Sequence, residues 1–116
     1  MTSNNDAMGK YPDILLSVIL FDPITGVLTW GDKPRSLFKS DSGFKAYNTK
    51  YKGAAIANED TSGYIQVKVS GVNYVGHRIA WALHYGSYPN GQIDHINHIR
   101  NDNRIVNLRD VSRFSF

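Results

Sequence analysis

Turn-forming residues divide the sequence into short segments, and this division limits the folds open to the chain more than any other feature. Proline, glycine, asparagine, aspartate and serine cluster at residues 22–26, 70–71 and 88–91, and such clusters mark turns. Between the turns, apolar residues recur at strand or helix spacing over only a few residues. We therefore predict an α+β fold, a small domain of β-hairpins and short helices.

The composition excludes several classes of protein. The chain has 116 residues, which suits one domain with its own hydrophobic core. It contains no cysteine, so disulfides, thiolate nucleophiles and cysteine-based zinc or iron–sulfur sites are excluded. The longest apolar run, residues 14–21, is shorter than the roughly 18 residues of a membrane span. It also lacks the flanks of a signal peptide, so we expect a cytoplasmic protein with no membrane partner.

The N-terminal half is predicted to begin with a polar lead. Residues 1–10 are expected to be disordered, and a short helix is expected from residue 11 to the turn at residues 22–26. The apolar residues of this helix recur at helical spacing: Ile14, Leu15, Val18 and Ile19. Residues 27–30 have strand-like composition and predict a small hairpin around the turn. Residues 31–60 show no clear period and are predicted to be mostly loop.

The middle of the chain predicts a hairpin followed by a helix. Apolar and polar residues alternate over residues 64–69, which is typical of a half-buried strand, and residues 72–75 are expected to return as its partner. Residues 77–85 are predicted to form a helix that Gly86 ends. A new strand is expected to begin at Gln92.

Residues 33–52 combine basic and aromatic side chains. Six basic residues face one acidic residue there, and four aromatic rings are interleaved. The basic residues are Lys33, Arg35, Lys39, Lys45, Lys50 and Lys52. Such a segment suits nucleic acid, because cations displace counterions from phosphates and rings stack on sugars or bases. The alternative is a solvated loop whose aromatic side chains pack on the core.

Asp94 and His95 are adjacent in a short predicted strand with apolar Ile93 and Ile96, and a polar stretch follows at residues 98–103. A carboxylate is a hard ligand for Mg²⁺, and an imidazole with an unperturbed pKa of about 6.5 is suited to deprotonate water at neutral pH. Neighbours on a strand point to opposite faces, so the pair can share one site only if the strand ends or twists there. The residues predict a metal-assisted phosphodiesterase, and a surface aspartate beside a partly exposed histidine is the alternative.

Several segments together carry the pattern of one enzyme family. They are an aromatic-Asp-Pro-x-Thr-Gly-x-Leu-x-Trp motif at residues 21–30, Gly-Tyr at residues 63–64, His-Arg-Ile-Ala-Trp at residues 77–81, and residues 89–97 followed by residues 102–111. With them the chain resembles the HNH endonucleases, in their phage and homing-type branch. The resemblance spans residues 14–112 apart from the basic segment. It implies a DNA partner, phosphodiester hydrolysis, a ββα-metal (His-Me finger) module and one Mg²⁺ or Mn²⁺ per site.

The resemblance assigns roles to three residues. Asp94 matches the metal-binding aspartate of the family, and His95 matches the general base that deprotonates the attacking water. Asn107 matches the central asparagine, which holds the loop between two strands and orients the histidine. On this basis residues 63–116 are expected to form the nuclease module, and residues 11–62 the preceding helix, hairpin and basic loop.

The sequence departs from the family pattern at two places. The second protein ligand of the family, Asn or His, lies about nine positions beyond the central asparagine, where this chain has Phe116. Few residues follow the helix cap expected at Ser112, so we expect a truncated last helix. Catalysis is then weak or lost, unless the ligand comes from elsewhere. His98 replaces a glycine of the relatives and is one candidate ligand, although a loop histidine is more often exposed.

Further basic residues are candidates for phosphate contacts, with solvated charge as the alternative. They are Arg78, Arg100, Arg104, Arg109 and Arg113. His77 and His84 share one side of the predicted helix, and we interpret them as structural rather than as a zinc pair. The rivals of an endonuclease are a catalytically impaired HNH-fold DNA-binding protein and a non-enzymatic interaction module. A phage-encoded protein would act in the cytoplasm of the host cell, and the oligomeric state stays open.

Overall fold

A computed structural model describes residues 13–111 of the chain, with side chains from residue 15 onward. The described residues form three antiparallel β-hairpins, three α-helices and two short 3₁₀ helices. In chain order these are α1 (Asp13–Ser17), β1 (Ile19–Asp22), β2 (Val27–Trp30), a 3₁₀ helix (Arg35–Leu37), α2 (Asp41–Lys50), β3 (Gln66–Val69), β4 (Val72–Val75), α3 (Gly76–Tyr85), β5 (Ile93–His95), a second 3₁₀ helix (Ile105–Asn107) and β6 (Leu108–Asp110). The prediction of a small α+β fold of hairpins and short helices is confirmed.

Two predictions fall on residues that the structure does not describe. The polar lead at residues 1–10 and the truncated helix expected beyond Ser112 both lie outside residues 13–111. Within the described part of the chain, no helix has the length and apolar character needed to cross a bilayer.

The first hairpin corrects the predicted N-terminal helix, which was expected to reach the turn at residues 22–26. Helix α1 ends at Ser17, and β1 pairs with β2 from Ile19 opposite Trp30 to Asp22 opposite Val27. Side chains of β1 alternate between buried and exposed positions, which is the period of a strand. The apolar spacing fits either element, and pairing with β2 decides between them.

Helix α2 lies in the segment predicted to be mostly loop, so that prediction is wrong for residues 41–50. The Ser40 side chain caps the helix by accepting a hydrogen bond from the Gly43 amide at 3.1 Å. The negative charge of Asp41 in the first turn and the positive charge of Lys50 in the last turn interact favourably with the helix dipole. Only Tyr47 of this helix is buried, so the segment lacks the broad apolar stripe that identifies most helices.

An aromatic cluster attaches α2 to the first hairpin. The Tyr47 hydroxyl donates a hydrogen bond to the Gly31 carbonyl at 2.8 Å, and its ring lies edge-on to Trp30 with 6.3 Å between centroids. Phe38 and Phe44 extend the cluster. Helix formation here depends on this tertiary packing, which a local sequence pattern does not reveal.

The second hairpin and α3 follow the prediction closely. β3 pairs with β4 in the register Val67 opposite Tyr74, and Gly86 ends α3 in the left-handed region with φ 79°. Core side chains from all three hairpins and from α3 pack together: Leu15, Val18, Ile19, Leu28, Ile56, Ile65, Val67, Ile79, Ala80 and Leu108. This core places the third hairpin, β5 and β6, beside α3.

Candidate active site

His95 is the last residue of β5, and its imidazole is buried. Its Nε2 lies 2.8 Å from Oδ1 of Asn103. A carbonyl oxygen only accepts, so Nε2 carries the ring proton and Nδ1 keeps the lone pair. The structure therefore holds His95 in one tautomer, with one ring nitrogen suited to take a proton.

Asn103 is a residue of the candidate site that the sequence reasoning did not single out. Only 2% of its surface is exposed, although it follows a polar loop and stands between two charged residues. The backbone at Asn103 and Arg104 packs directly against Gly26 of the first turn, and the Ile105 amide donates to the Pro23 carbonyl. Asn103 is thus buried next to a turn that is distant in the sequence, and no local sequence pattern reveals this contact.

The loop between β5 and β6 is held by Asn107, which is buried at the end of the second 3₁₀ helix. Its Oδ1 accepts from the Asn97 amide at 2.9 Å, and its Nδ2 donates to the Asn97 side chain and to the Asp102 carbonyl. The Asn107 carbonyl also accepts from the Ile96 amide. Asn107 therefore closes the loop. The residue that hydrogen-bonds the His95 ring is Asn103 and not Asn107.

Asp94 lies on β5 directly opposite Arg109 of β6. Its Oδ2 accepts a hydrogen bond from Arg109 Nη2 at 2.6 Å, and both side chains are partly exposed. Among residues 13–111, no group of three His, Asp or Glu side chains is arranged to hold a metal ion. Asp94 therefore supplies a single carboxylate, and the position of Phe116 lies outside the described residues.

Asp94 and His95 line one cavity despite being neighbours on a strand. The cavity has a volume of about 180 Å³, and its walls are polar side chains together with Ile93. The other residues lining it are Tyr64, His98 and Arg100. β5 ends at His95 and a turn follows, which is the condition under which adjacent residues can share a site. A larger groove of about 550 Å³ beside Trp81 contains neither residue.

Two further rings surround the His95 imidazole. The His77 ring lies almost perpendicular to it with 4.9 Å between centroids, and the Tyr64 ring lies 5.8 Å away. His77 Nδ1 is buried and has no hydrogen-bond partner within the described residues. The pKa of His77 is lowered to about 4, mainly by burial; the interactions with His95 and Arg78 act in the same direction, and Asp60 opposes them. His77 is therefore neutral at neutral pH.

The depressed pKa of His77 predicts a loss of stability in mild acid. An unfolded histidine binds a proton below about pH 6.5, whereas folded His77 does so only below about 4. Stability is therefore intact above pH 6.5 and declines as the pH falls toward 4, by about 3 kcal/mol. Urea denaturation between these pH values should show this decline in the wild type and a much flatter profile in His77→Phe. Equal slopes in the two proteins would contradict the assignment.

The basic side chains of residues 33–52 separate into three groups. Lys39, Lys45 and Lys50 are exposed at or near α2. Lys33 lies between two rings, with Nζ 4.4 Å from the Trp30 centroid and 4.5 Å from that of Tyr47, and burial lowers its pKa. Two others form exposed ion pairs: Arg35 with Asp41 at 2.7 Å and Lys52 with Asp32 at 2.6 Å.

Two of the predicted arginines lie at the candidate site. Arg100 stacks on Tyr64 at 5.2 Å, and Arg109 pairs with Asp94. Arg78 instead donates to the Gly91 carbonyl. Arg104 donates to Asp102 and holds the pKa of that carboxyl well below its usual range. Arg113 lies outside the described residues.

The two histidines of α3 have different surroundings. His77 contacts the candidate base, whereas His84 is exposed and packs against the Tyr85 ring. His98 lies on the cavity wall in the left-handed region with φ 65°. A glycine adopts this conformation without strain, which agrees with the glycine that the family resemblance leads us to expect at this position.

Comparison with known proteins supports the resemblance noted in the sequence. Residues 74–114, roughly a third of the chain, match a family model described as HNH endonuclease. The matched segment contains the end of β4, all of α3 and the third hairpin with Asp94, His95, Asn103 and Asn107. No curated protein and no solved structure matches the chain. The match indicates a nuclease or DNA-binding function.

Proposed function

We propose that this chain is an HNH endonuclease of the phage and homing-type branch, which hydrolyses DNA phosphodiester bonds with one divalent metal ion. One observation carries the proposal: a buried histidine with a fixed tautomer shares a polar cavity with a carboxylate. The match to the HNH family over residues 74–114 includes this site. An imidazole held in one tautomer can deprotonate a water molecule, and a carboxylate beside it can bind a metal ion that stabilises charge on the phosphate.

The roles follow from the contacts of each residue. His95 takes the proton of the attacking water on Nδ1, because Asn103 holds the proton on Nε2. Asn107 keeps the loop beside this ring closed through its three side-chain hydrogen bonds. Arg100, on the wall of the cavity, is placed to contact a phosphate oxygen of the substrate.

Asp94 would hold the metal, Mg²⁺ or Mn²⁺. Mg²⁺ keeps several waters and is commonly bound by one or two carboxylates together with substrate phosphates, so one carboxylate suits a metal that arrives with DNA. When bound, the metal supplies positive charge at the phosphate. Because Arg109 already donates to Asp94 Oδ2, it competes with the cation for this carboxylate. Metal binding without DNA is expected to be weak.

A second candidate is an HNH-fold protein that binds DNA without cleaving it. The ion pair between Asp94 and Arg109 favours this alternative, as does the lack of a three-residue metal cluster within residues 13–111. Such a protein retains the basic surface near α2 and the arginines beside the cavity. A non-enzymatic interaction module is the third candidate, and it requires neither activity.

The three candidates differ in two simple assays. The endonuclease converts supercoiled plasmid to nicked or linear DNA with Mg²⁺ or Mn²⁺, and EDTA abolishes the reaction. The impaired protein binds DNA in a salt-dependent manner and leaves the plasmid intact. An interaction module does neither, and that result would contradict the proposal.

Charge reversal on α2 tests whether its exposed lysines contact DNA. The double variant Lys45→Glu and Lys50→Glu is expected to weaken binding to unrelated DNA sequences, because phosphate contacts do not read bases. The slope of log affinity against log salt should become shallower by up to about 2, roughly one per lost phosphate contact. Fluorescence anisotropy over a salt series measures both quantities.

The matched control is Lys68→Glu, an exposed lysine on β3. It is expected to change the affinity far less than the double variant does. Unchanged affinity in Lys45→Glu and Lys50→Glu would return the segment to the alternative of a solvated surface.

A further inference from the structure

Three elements each bring one ring to the same point. His77 lies in the first turn of α3, Tyr64 lies two residues before β3, and His95 ends β5. The centroid distances are 5.4 Å for Tyr64 and His77, 5.8 Å for Tyr64 and His95, and 4.9 Å for His77 and His95. Each ring is therefore in contact with the other two. We refer to these three residues as the ring cluster.

The hydrogen bond that His95 donates to Asn103 does not by itself set the orientation of His95. It restrains the position of Nε2, whereas the second side-chain torsion of a histidine has a broad and roughly two-fold distribution. A rotation of the ring exchanges the places of its nitrogens and carbons. Contacts from neighbouring rings oppose this rotation, because aromatic pairs prefer particular offset or perpendicular arrangements.

The chemistry of His77 suits a place beside a base. His77 is neutral at neutral pH because burial lowers its pKa. The titratable groups that also act on it are His95, Arg78 and Asp60. A neutral ring adds no positive charge next to His95 when that residue takes up a proton. The buried Nδ1 of His77 has no hydrogen-bond partner among the described residues. Hydrogen bonding of this atom therefore does not explain why a histidine occupies this buried position.

We propose that His77 is a positioning residue for His95: its ring, together with Tyr64, locks the imidazole in the orientation in which Nε2 donates to Asn103. The nuclease consequence of this proposal rests on the proposed function, whereas the orientation itself does not. The proposal gives His77 a positioning role without any contact with substrate, and it distinguishes this histidine from His84 on the same helix.

Two variants separate ring packing from space filling. His77→Phe keeps an aromatic ring at this position. His77→Leu fills a similar volume with an apolar side chain that has no ring. His84→Leu serves as the control, because it makes the same change at an exposed position seven residues further along α3. Circular dichroism and urea denaturation verify that all three fold.

The first readout is the tautomer of His95 in long-range ¹H–¹⁵N spectra, recorded without metal or DNA. The spectra are recorded at about pH 8, above the pKa of about 6.5 of a free histidine. The wild type, His77→Phe and His84→Leu should show a single Nε2–H tautomer for His95. His77→Leu should show averaged nitrogen shifts, which indicate a mobile ring.

The second readout is single-turnover cleavage of DNA. His77→Leu should be slower by roughly 10- to 100-fold with unchanged DNA affinity, because a misplaced base slows the chemical step. His77→Phe should stay within about threefold of the wild type. A His77→Leu protein with the wild-type His95 tautomer would overturn the proposal. If no variant and no wild type cleaves DNA, the proposed function fails, and the spectra alone decide the positioning role.

Discussion

His95→Ala is expected to lower the single-turnover rate of DNA cleavage by about 10²- to 10⁴-fold, with little change in DNA affinity. A general base acts in the transition state and contributes little to binding of the phosphate backbone. Rate and affinity should be measured on the same DNA, the affinity without metal. His98→Ala is the control, because His98 lines the same cavity and is exposed.

The variant must also be shown to fold, because His95 is buried. His95→Gln keeps a polar side chain near Asn103 and is expected to lose the same activity with a smaller loss of stability. If affinity falls in parallel with rate in both variants, His95 serves binding or folding rather than proton transfer. Equal loss in His98→Ala would show that the effect is not specific to His95 and would contradict its assignment as the base.

Gly26→Ala is expected to destabilise the fold by about 3 kcal/mol or more. Gly26 has φ 78°, and an added Cβ would lie 2.3 Å from the Arg104 amide nitrogen and 2.6 Å from the Asn103 carbonyl carbon. Both neighbours are backbone atoms, so a side-chain rotation cannot relieve the overlap. Because Asn103 holds His95, cleavage should fall as well. Urea denaturation measures the stability of the variant.

Gly53→Ala is the matched control for this prediction. Gly53 has φ 86°, and a Cβ there would meet nothing within 4 Å. It therefore carries only the cost of a left-handed alanine, about 1 to 2 kcal/mol. An equal loss of stability in the two variants would show that the first turn does not pack against the backbone at residues 103–104.

The sequence predicts those parts of the fold whose pattern is local. The alternation that leads into β3, the return strand and the glycine that ends α3 all appear in the structure as expected. Asp94 and His95 line one cavity because β5 ends at His95, ahead of the polar stretch at residues 98–103 that predicts the break in the strand. Each of these features depends on neighbours along the chain, so periodicity and turn residues are sufficient.

The remaining features depend on contacts between distant residues. β1 has apolar spacing that fits a helix, and only pairing with β2 makes it a strand. Helix α2 is polar and depends on Tyr47 packing against Trp30. Asn103 and His77 reach His95 from segments that are separate in the sequence, so their part in the site appears only in three dimensions.

The central claim is that His95 activates water for attack on a DNA phosphate. The most direct measurement is a single-turnover cleavage reaction in H₂¹⁸O with Mg²⁺ or Mn²⁺, followed by mass spectrometry of the products. The account predicts one ¹⁸O atom in each new terminal phosphate and loss of this product in His95→Ala. Cleavage without ¹⁸O in the phosphate, or no product above the EDTA control, would contradict it.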